Sequence, residues 1–161
     1  MGAGKTTIGR HLAKALGFEF YDSDAVIVDN AGADIPWIFD IEGESGFRLR
    51  EEQIIDQLTQ ERGVVVATGG GAILADNNRK NLRSRGVVVY LQTSIRFQLF
   101  RTQKDRNRPL LQNGARKKVL TDLLAIRGPL YEQTADLVVS TDKSSPKTIV
   151  QTIVTFLEDQ P

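Results

Sequence analysis

The segment "MGAGKTTIGR" at the head of the chain constrains the fold more than any other. Gly4-Lys5-Thr6 forms the end of the pattern Gly, four residues, Gly-Lys-Ser/Thr. In that pattern a glycine-rich turn leads from a β-strand into a helix, and its backbone N–H groups wrap phosphates. The pattern's first glycine would fall two residues before Met1. Directly afterwards Ile8, Leu12, Ala15 and Leu16 recur at helical spacing and Gly17 stops the run, so a helix is expected over 6–16. A Gly-Lys-Thr beside a helix start can also occur without any ligand. The rest of the chain has to decide.

That remainder alternates. "FEFYDSD" reads as a short strand ending in acidic residues, and 33–62 carries two helical stretches broken around 43–46. "GVVVATGGG" is an apolar run entering three glycines, the pattern of a buried parallel strand that ends in a loop. A helix-compatible stretch at 77–85 precedes the strand "VVVYL", and a helix near 94–102 precedes the charged "QKDRNRPLLQNGARKK". Helix is expected again over 117–126, then a strand at "LVVS". Pro146 opens a last amphipathic helix through Ile149, Ile153 and Phe156. Strands alternating with helices predict an α/β fold with a parallel sheet covered on both faces. No repeat or linker divides the 161 residues, so one domain over 1–161 is expected. A phosphate loop needs a strand before it. That strand would lie ahead of Met1, which is therefore expected to be an internal methionine of a longer protein or a misassigned start.

Composition narrows the chemistry. Lysine plus arginine, 21, nearly cancels aspartate plus glutamate, 20, so no global charge favours nucleic acid or membrane, and an anion site must be local. With no cysteine there are no disulfides or thiolate metal sites. Apolar runs are too short to span a bilayer, and polar residues and glycines occupy the place of a signal peptide's apolar core. A cytoplasmic protein is the expectation.

In the functional reading, Gly2 to Thr6 offer backbone N–H groups to the β- and γ-phosphates of a nucleotide, Lys5 bridges those phosphates, and the Thr6 hydroxyl binds Mg²⁺. "YDSD" sets Asp22 and Asp24 two apart at a strand end. Asp24 could accept from a substrate hydroxyl and act as its base, with Asp22 toward the metal; equally, Asp24 could cap the helix that follows. "GFRLREE" offers Arg48 for bidentate carboxylate clamping, although its spacing also fits a solvated helix face. "TGGG" at 68–71 could let backbone amides approach an anionic substrate, or simply turn the chain. Arg101, Lys104, Arg106 and Arg108 could form part of a segment closing over the nucleotide, or a basic exposed loop. Arg127 is a second anion-clamp candidate, with a helix C-terminus as its competing partner. Trp37 and Phe39 are expected in the core.

Six fragments, "MGAGKTTIGR", "FYDSD", "FDIEGESGFRLRE", "ATGGG", "NRPLL" and "RGPLY", stand in an order and at spacings that closely resemble shikimate kinase, a small phosphate-loop kinase family of chorismate and aromatic amino-acid biosynthesis. The resemblance spans essentially the whole chain. It implies a three-layer α/β/α fold with a five-stranded parallel sheet of order 2-3-1-4-5, its first strand before Met1. It also implies a substrate-binding region at 33–62 and a lid at 105–116. Carried onto this sequence, Gly2, Ala3, Gly4, Lys5, Thr6 and Thr7 hold ATP phosphates, and Thr6 with Asp22 serves Mg²⁺. Asp24 holds shikimate hydroxyls and is the base. Arg48 and Arg127 clamp the shikimate carboxylate, with Gly70 and Gly71 against the substrate. Arg108 reaches from the lid to the phosphates as a catalytic residue beside Lys5 and Asp24, and Arg101 packs beside adenine near the turn at 141–146. The implied activity is Mg-ATP-dependent phosphorylation of the 3-hydroxyl of shikimate by a monomer that binds no nucleic acid or membrane. Two alternatives stand beside it: another small-molecule kinase such as a gluconate kinase, and a non-catalytic nucleotide-binding module if the chain begins at Met1.

Overall fold

The computed structural model describes residues 2–102 and 115–160. Among them, strands β1 (Glu19–Asp22), β2 (Val64–Ala67), β3 (Val89–Gln92) and β4 (Leu137–Ser140) alternate with helices, and every strand pairing is parallel. β1 pairs with β2 in the register Glu19↔Val64 to Asp22↔Ala67, and β3 with β4 in the register Val89↔Leu137 to Gln92↔Ser140. Each pair is a separate two-stranded sheet. The chain is therefore α/β, with four described strands in two pairs, where the sequence had led to one sheet of five.

Helix α1 (Lys5–Leu16) begins at Gly4 in the left-handed conformation (φ 83°), which is open to glycine at no steric cost. It ends at Gly17, whose N–H bonds back to the Ala13 and Lys14 carbonyls. Ile8 and Leu12 form its buried face and pack with Ile149, Val150 and Ile153 of α7 (Pro146–Glu158) and with Val139 of β4. Ser145 caps α7 by accepting from Thr148 N–H. Gly9 lets α1 lie close over β1, because a side chain there would meet the Phe20 ring.

A second core gathers Ile27, Ile38, Phe47, Ile54 and Leu58, with Tyr21 and Val66 against it. Val65 belongs to the first core and Val66 to the second, so period-two alternation sends successive β2 side chains to opposite, helix-covered faces. Burying such a side chain contributes about 1.5–3 kcal/mol, so both cores weigh heavily against chain entropy.

Two elements and one side chain differ from the sequence expectation. β1 stops at Asp22, whose side chain accepts from Asp24 N–H and caps α2 (Ser23–Ala31). The capping aspartate is thus Asp22, and Asp24 lies in the helix's first turn. α3 (Ile35–Leu58) is broken at Gly43 (φ 71°, ψ 179°), within the expected break at 43–46, and Arg50 grips Glu42 bidentately across it at 2.7 and 2.8 Å. Trp37, expected in the core, is 53% exposed on α3, while Phe39 does pack on Phe47. α6 (Arg116–Thr134) runs past the Gly128-Pro129 pair that was expected to stop it. Proline removes only one donor, and the burial of Arg127, Gly128 and Thr134 holds the turn that follows. α4 (Asp76–Arg85) and α5 (Ile95–Thr102) fall where periodicity puts them. Among the described residues no helix is long and apolar enough to cross a membrane.

Candidate active site

The strands deliver their C-terminal ends to one region. Gly2, Ala3, Gly4, Lys5, Thr6 and Thr7 line a cleft of about 280 Å³, joined by Asp22, Asp24, Thr68, Gly69, Gly70 and Arg101. The first turn of α1 has no side-chain cap, so its leading N–H groups face the cleft with the positive end of the helix dipole behind them. Such a site favours an anion.

The Thr6 hydroxyl donates to Asp22 Oδ2 at 2.9 Å, while Asp22 Oδ1 accepts from Asp24 N–H at 3.1 Å. One carboxylate therefore holds both the phosphate loop and the start of α2. A hydroxyl beside a carboxylate, both hard oxygen donors at a phosphate-binding turn, suits Mg²⁺. That ion is usually held by one or two protein oxygens, with phosphates and waters completing the octahedron.

The glycine turn after β2 organises the other half. Ser23, fully buried, accepts from Gly69 N–H at 3.1 Å and ties the end of β1 to the end of β2. A Cβ at Gly69 would lie 2.7 Å from both Asp24 Oδ1 and Glu51 Oε1. A Cβ at Gly70 would lie 3.4 Å from Arg127 Nη1 and from the Tyr131 hydroxyl, and one at Gly71 would collide with the Arg48 guanidinium. Three successive residues thus each adjoin different charged or polar side chains, and Gly69 and Gly71 have no room for a Cβ of their own.

Arg48 donates to Glu51 Oε2 at 2.7 Å and to the more exposed Glu44 at 3.2 Å. Burial works against the Arg48 charge, yet Glu51 and Glu44 hold its pKa above the ordinary value. Glu51 is itself 1% exposed. Burial raises its carboxyl above the ordinary 4.5; Arg48 pulls it back and Asp24 adds to the rise. A carboxyl raised in the folded state contributes stability that is complete below 4.5 and is lost as pH rises through the folded value. Glutamine mimics the neutral form. Glu51→Gln should therefore match the wild-type Tm near about pH 4 and gain on it toward about pH 7. Thermal melts across that range check this, and a wild type that gains instead would mean that the fold prefers the anion.

Arg101, at the end of α5, donates through Nη1 to the Gly2 carbonyl (3.0 Å) and Thr141 Oγ1 (3.1 Å), and through Nη2 to the Thr141 carbonyl (3.0 Å). It fastens the phosphate loop to the turn after β4, where the sequence suggested an adenine pocket, and one face of its guanidinium lies over Phe97.

The sequence-derived residues of both halves, Gly2 to Thr7, Asp22, Asp24, Arg48, Gly70, Gly71, Arg101 and Arg127, thus come together around one cleft and the turn at its wall. Arg108, with Lys104, Arg106 and positions 105–114 of the expected lid, lies outside the described residues. Of that lid only Ala115 and Arg116 are described, and Arg116 donates to the Thr102 carbonyl at 3.2 Å. Sequence reasoning missed Ser23 and Tyr131. It quoted Glu51 without a role, although its i,i+3 spacing from Arg48 was a usable signal for a pair.

Comparison with known proteins agrees with this geometry. The family model described as shikimate kinase matches residues 1–158. A shikimate kinase of Photobacterium profundum is 58% identical over 160 residues, covering 99% of this chain and 91% of its own length. One from Vibrio cholerae is 54% identical over 159 residues, with 99% and 91% covered. Among solved structures, the shikimate kinase from Acinetobacter baumannii in complex with shikimate superposes with a TM-score of 0.95 at 50% identity, covering 98% of this chain and 88% of that one. That of Aquifex aeolicus gives 0.82 at 30% identity, covering 98% and 91%. The resemblance carried by six short fragments extends along the whole chain, which belongs to the shikimate kinase family.

Proposed function

We propose that this chain is a shikimate kinase that transfers the γ-phosphoryl group of ATP to the 3-hydroxyl of shikimate, giving shikimate 3-phosphate and ADP. One observation carries the reading: Asp24 belongs to the phosphate-loop cleft and also meets, across Gly69, the wall where Glu51 holds Arg48. An acceptor hydroxyl at Asp24 therefore faces a nucleotide phosphate, while a carboxylate elsewhere on the same acceptor reaches arginine.

In-line transfer needs positioning and charge neutralisation more than covalent chemistry. The amides of Gly2 to Thr7 hold the phosphates, Lys5 neutralises the moving phosphoryl group, and Asp24 orients the hydroxyl and takes its proton. Arg48 and Arg127 clamp the carboxylate against Gly70 and Gly71. Arg101 frames the adenine end, and Arg108 completes the phosphate contacts from the lid. Thr6, and Asp22 beside it, would hold Mg²⁺, which would offset the negative charge of the nucleotide phosphates.

The same reading takes 1–161 as one kinase domain with its substrate region at 33–62 and its lid at 105–116. β1–β2 and β3–β4 are strands 2-3 and 4-5 of a 2-3-1-4-5 sheet, flanking a strand that is not among the four described. A monomeric cytoplasmic enzyme with small molecules as its partners belongs to this reading, and the balanced charge of the chain gives no global pull toward nucleic acid or membrane.

ADP release in the presence of Mg-ATP, followed with shikimate and with gluconate, tests the assignment. Turnover confined to shikimate supports it. Preference for gluconate would move the chain to another small-molecule kinase, and tight ATP binding without any turnover would make it a nucleotide-binding module. Arg48→Ala should raise the shikimate KM about 100-fold, the scale of a charge-assisted bidentate contact, with the ATP KM within about two-fold. An unchanged shikimate KM would reassign the clamp.

A further inference from the structure

Two arginines are proposed to grip the acceptor carboxylate, but they are held differently. Arg48 has Glu51 and Glu44 as ionic partners. Arg127 is 5% exposed, and no acidic side chain pairs with it in a described salt bridge. Beside its guanidinium, at the glycine turn, stands a phenol. Tyr131 sits one helical turn further along α6, on the same face. Its hydroxyl donates to the Gly70 carbonyl at 2.5 Å, and the Arg127 guanidinium stands close enough to act on the same phenol. Both Arg127 Nη1 and the Tyr131 oxygen lie 3.4 Å from the point where a Gly70 Cβ would stand. The ring stacks on Tyr90 of β3 with centroids 4.9 Å apart and planes inclined by 28°, which fixes its direction.

A tyrosine hydroxyl has one proton to donate and lone pairs to accept with. Here the proton goes to the glycine turn, which leaves the lone pairs open to a donor such as the neighbouring arginine. Burial raises the Tyr131 phenol, with the Arg127 charge pulling the other way, so the hydroxyl keeps the proton that the Gly70 carbonyl needs.

Resting on the assignment of Arg127 to the acceptor carboxylate, we propose that Tyr131 is a positioning residue that locks Arg127 to the glycine turn and so sets selectivity for a carboxylated acceptor. The hydroxyl converts the position of Gly70 into the direction of the guanidinium. Without it the arginine keeps its charge but loses its aim.

Tyr131→Phe removes the hydroxyl and leaves the ring on Tyr90. Steady-state kinetics of this variant with shikimate and with shikimate methyl ester should show the shikimate KM about ten-fold higher and the ester KM within about two-fold of wild type. The ATP KM should also stay within about two-fold. Selectivity for the acid over the ester falls accordingly, and because a ratio of KM values does not depend on the folded fraction, partial misfolding cannot imitate this result. Arg127→Ala should erase the same selectivity, and adding Tyr131→Phe to it should change the shikimate KM less than about two-fold, since the two residues act as one unit. An unchanged shikimate KM in Tyr131→Phe, equal rises for acid and ester, or independent effects in the double variant would each overturn the proposal. If Arg127→Ala leaves selectivity intact, the assignment of Arg127 itself fails. If Arg127→Ala behaves as expected and Tyr131→Phe is silent, only the role of Tyr131 falls.

Discussion

Asp24→Asn should reduce kcat by about 10³-fold while ATP affinity stays within about two-fold of wild type. Asparagine keeps the size, one acceptor oxygen and the backbone N–H that Asp22 holds at 3.1 Å, so the first turn of α2 remains capped. What it loses is the capacity to take a proton from the acceptor hydroxyl. The amides proposed to hold the nucleotide belong to a different segment of the cleft lining, the turn before α1 and its first residues, and their backbone is unchanged by the substitution.

The substitution also has a consequence for stability that separates chemistry from folding. Asp24 and Glu51 flank Gly69, and the Asp24 charge adds to the rise in the Glu51 carboxyl. Removing that charge brings Glu51 back toward its ordinary range and relieves a like-charge contact, so the variant's Tm should equal or exceed that of wild type. Dead turnover in a protein at least as stable as its parent, still binding ATP, marks Asp24 as chemical machinery. Wild-type-like turnover would remove it from the mechanism.

How far the site could be read without coordinates depends on how local each signal was. Gly4-Lys5-Thr6 with its helix, the strand entering "TGGG" and the arginines at 48 and 127 are contiguous patterns, and the periodicities that place them need no tertiary information. Asp22 and Asp24 were legible as a pair but not in their division of labour. Which of them caps α2 depends on where β1 stops, and β1 stops where its register with β2 ends, at Ala67. The continuation of α6 through Pro129 was hidden for the opposite reason. Local chemistry argues for a stop there, and burial of Arg127, Gly128 and Thr134 outweighs it. The end of that helix carries Tyr131, so the misjudged boundary and the missed residue have one cause. Ser23 was invisible because its partner, Gly69 N–H, is 46 residues away. Trp37 was misplaced because large aromatics are buried on average, whereas this one stands 53% exposed on the first turn of α3. Strand order is a property of the assembled sheet, and alternation alone says only that neighbouring strands run parallel.

Lys5→Met should lower kcat about 10³-fold, and Lys5→Arg should not restore it. Lys5 lines the phosphate-loop cleft, and it also lines a smaller cavity of about 110 Å³ that includes Gly70, Arg127 and Tyr131. It therefore stands between the two halves of the site, where a phosphoryl group passing from nucleotide to acceptor carries its charge. An ammonium placed there strengthens its interaction as transfer proceeds, which is why kcat should suffer more than ATP affinity. Arginine keeps the charge but replaces a compact point with a planar fork, which the narrow start of α1 cannot seat in the same place. The lysine also acts on the fold through its place in the helix. It opens α1, where the helix dipole presents its positive end, and a cation there costs about 0.3–1 kcal/mol. Methionine keeps the stem and drops the charge, so Lys5→Met should still fold cooperatively while turning over about a thousandth as fast. Kinetics of ADP release together with thermal melts decide the matter. Retained turnover would place the phosphoryl path elsewhere, and a variant that lost stability in step with activity would make Lys5 a structural residue.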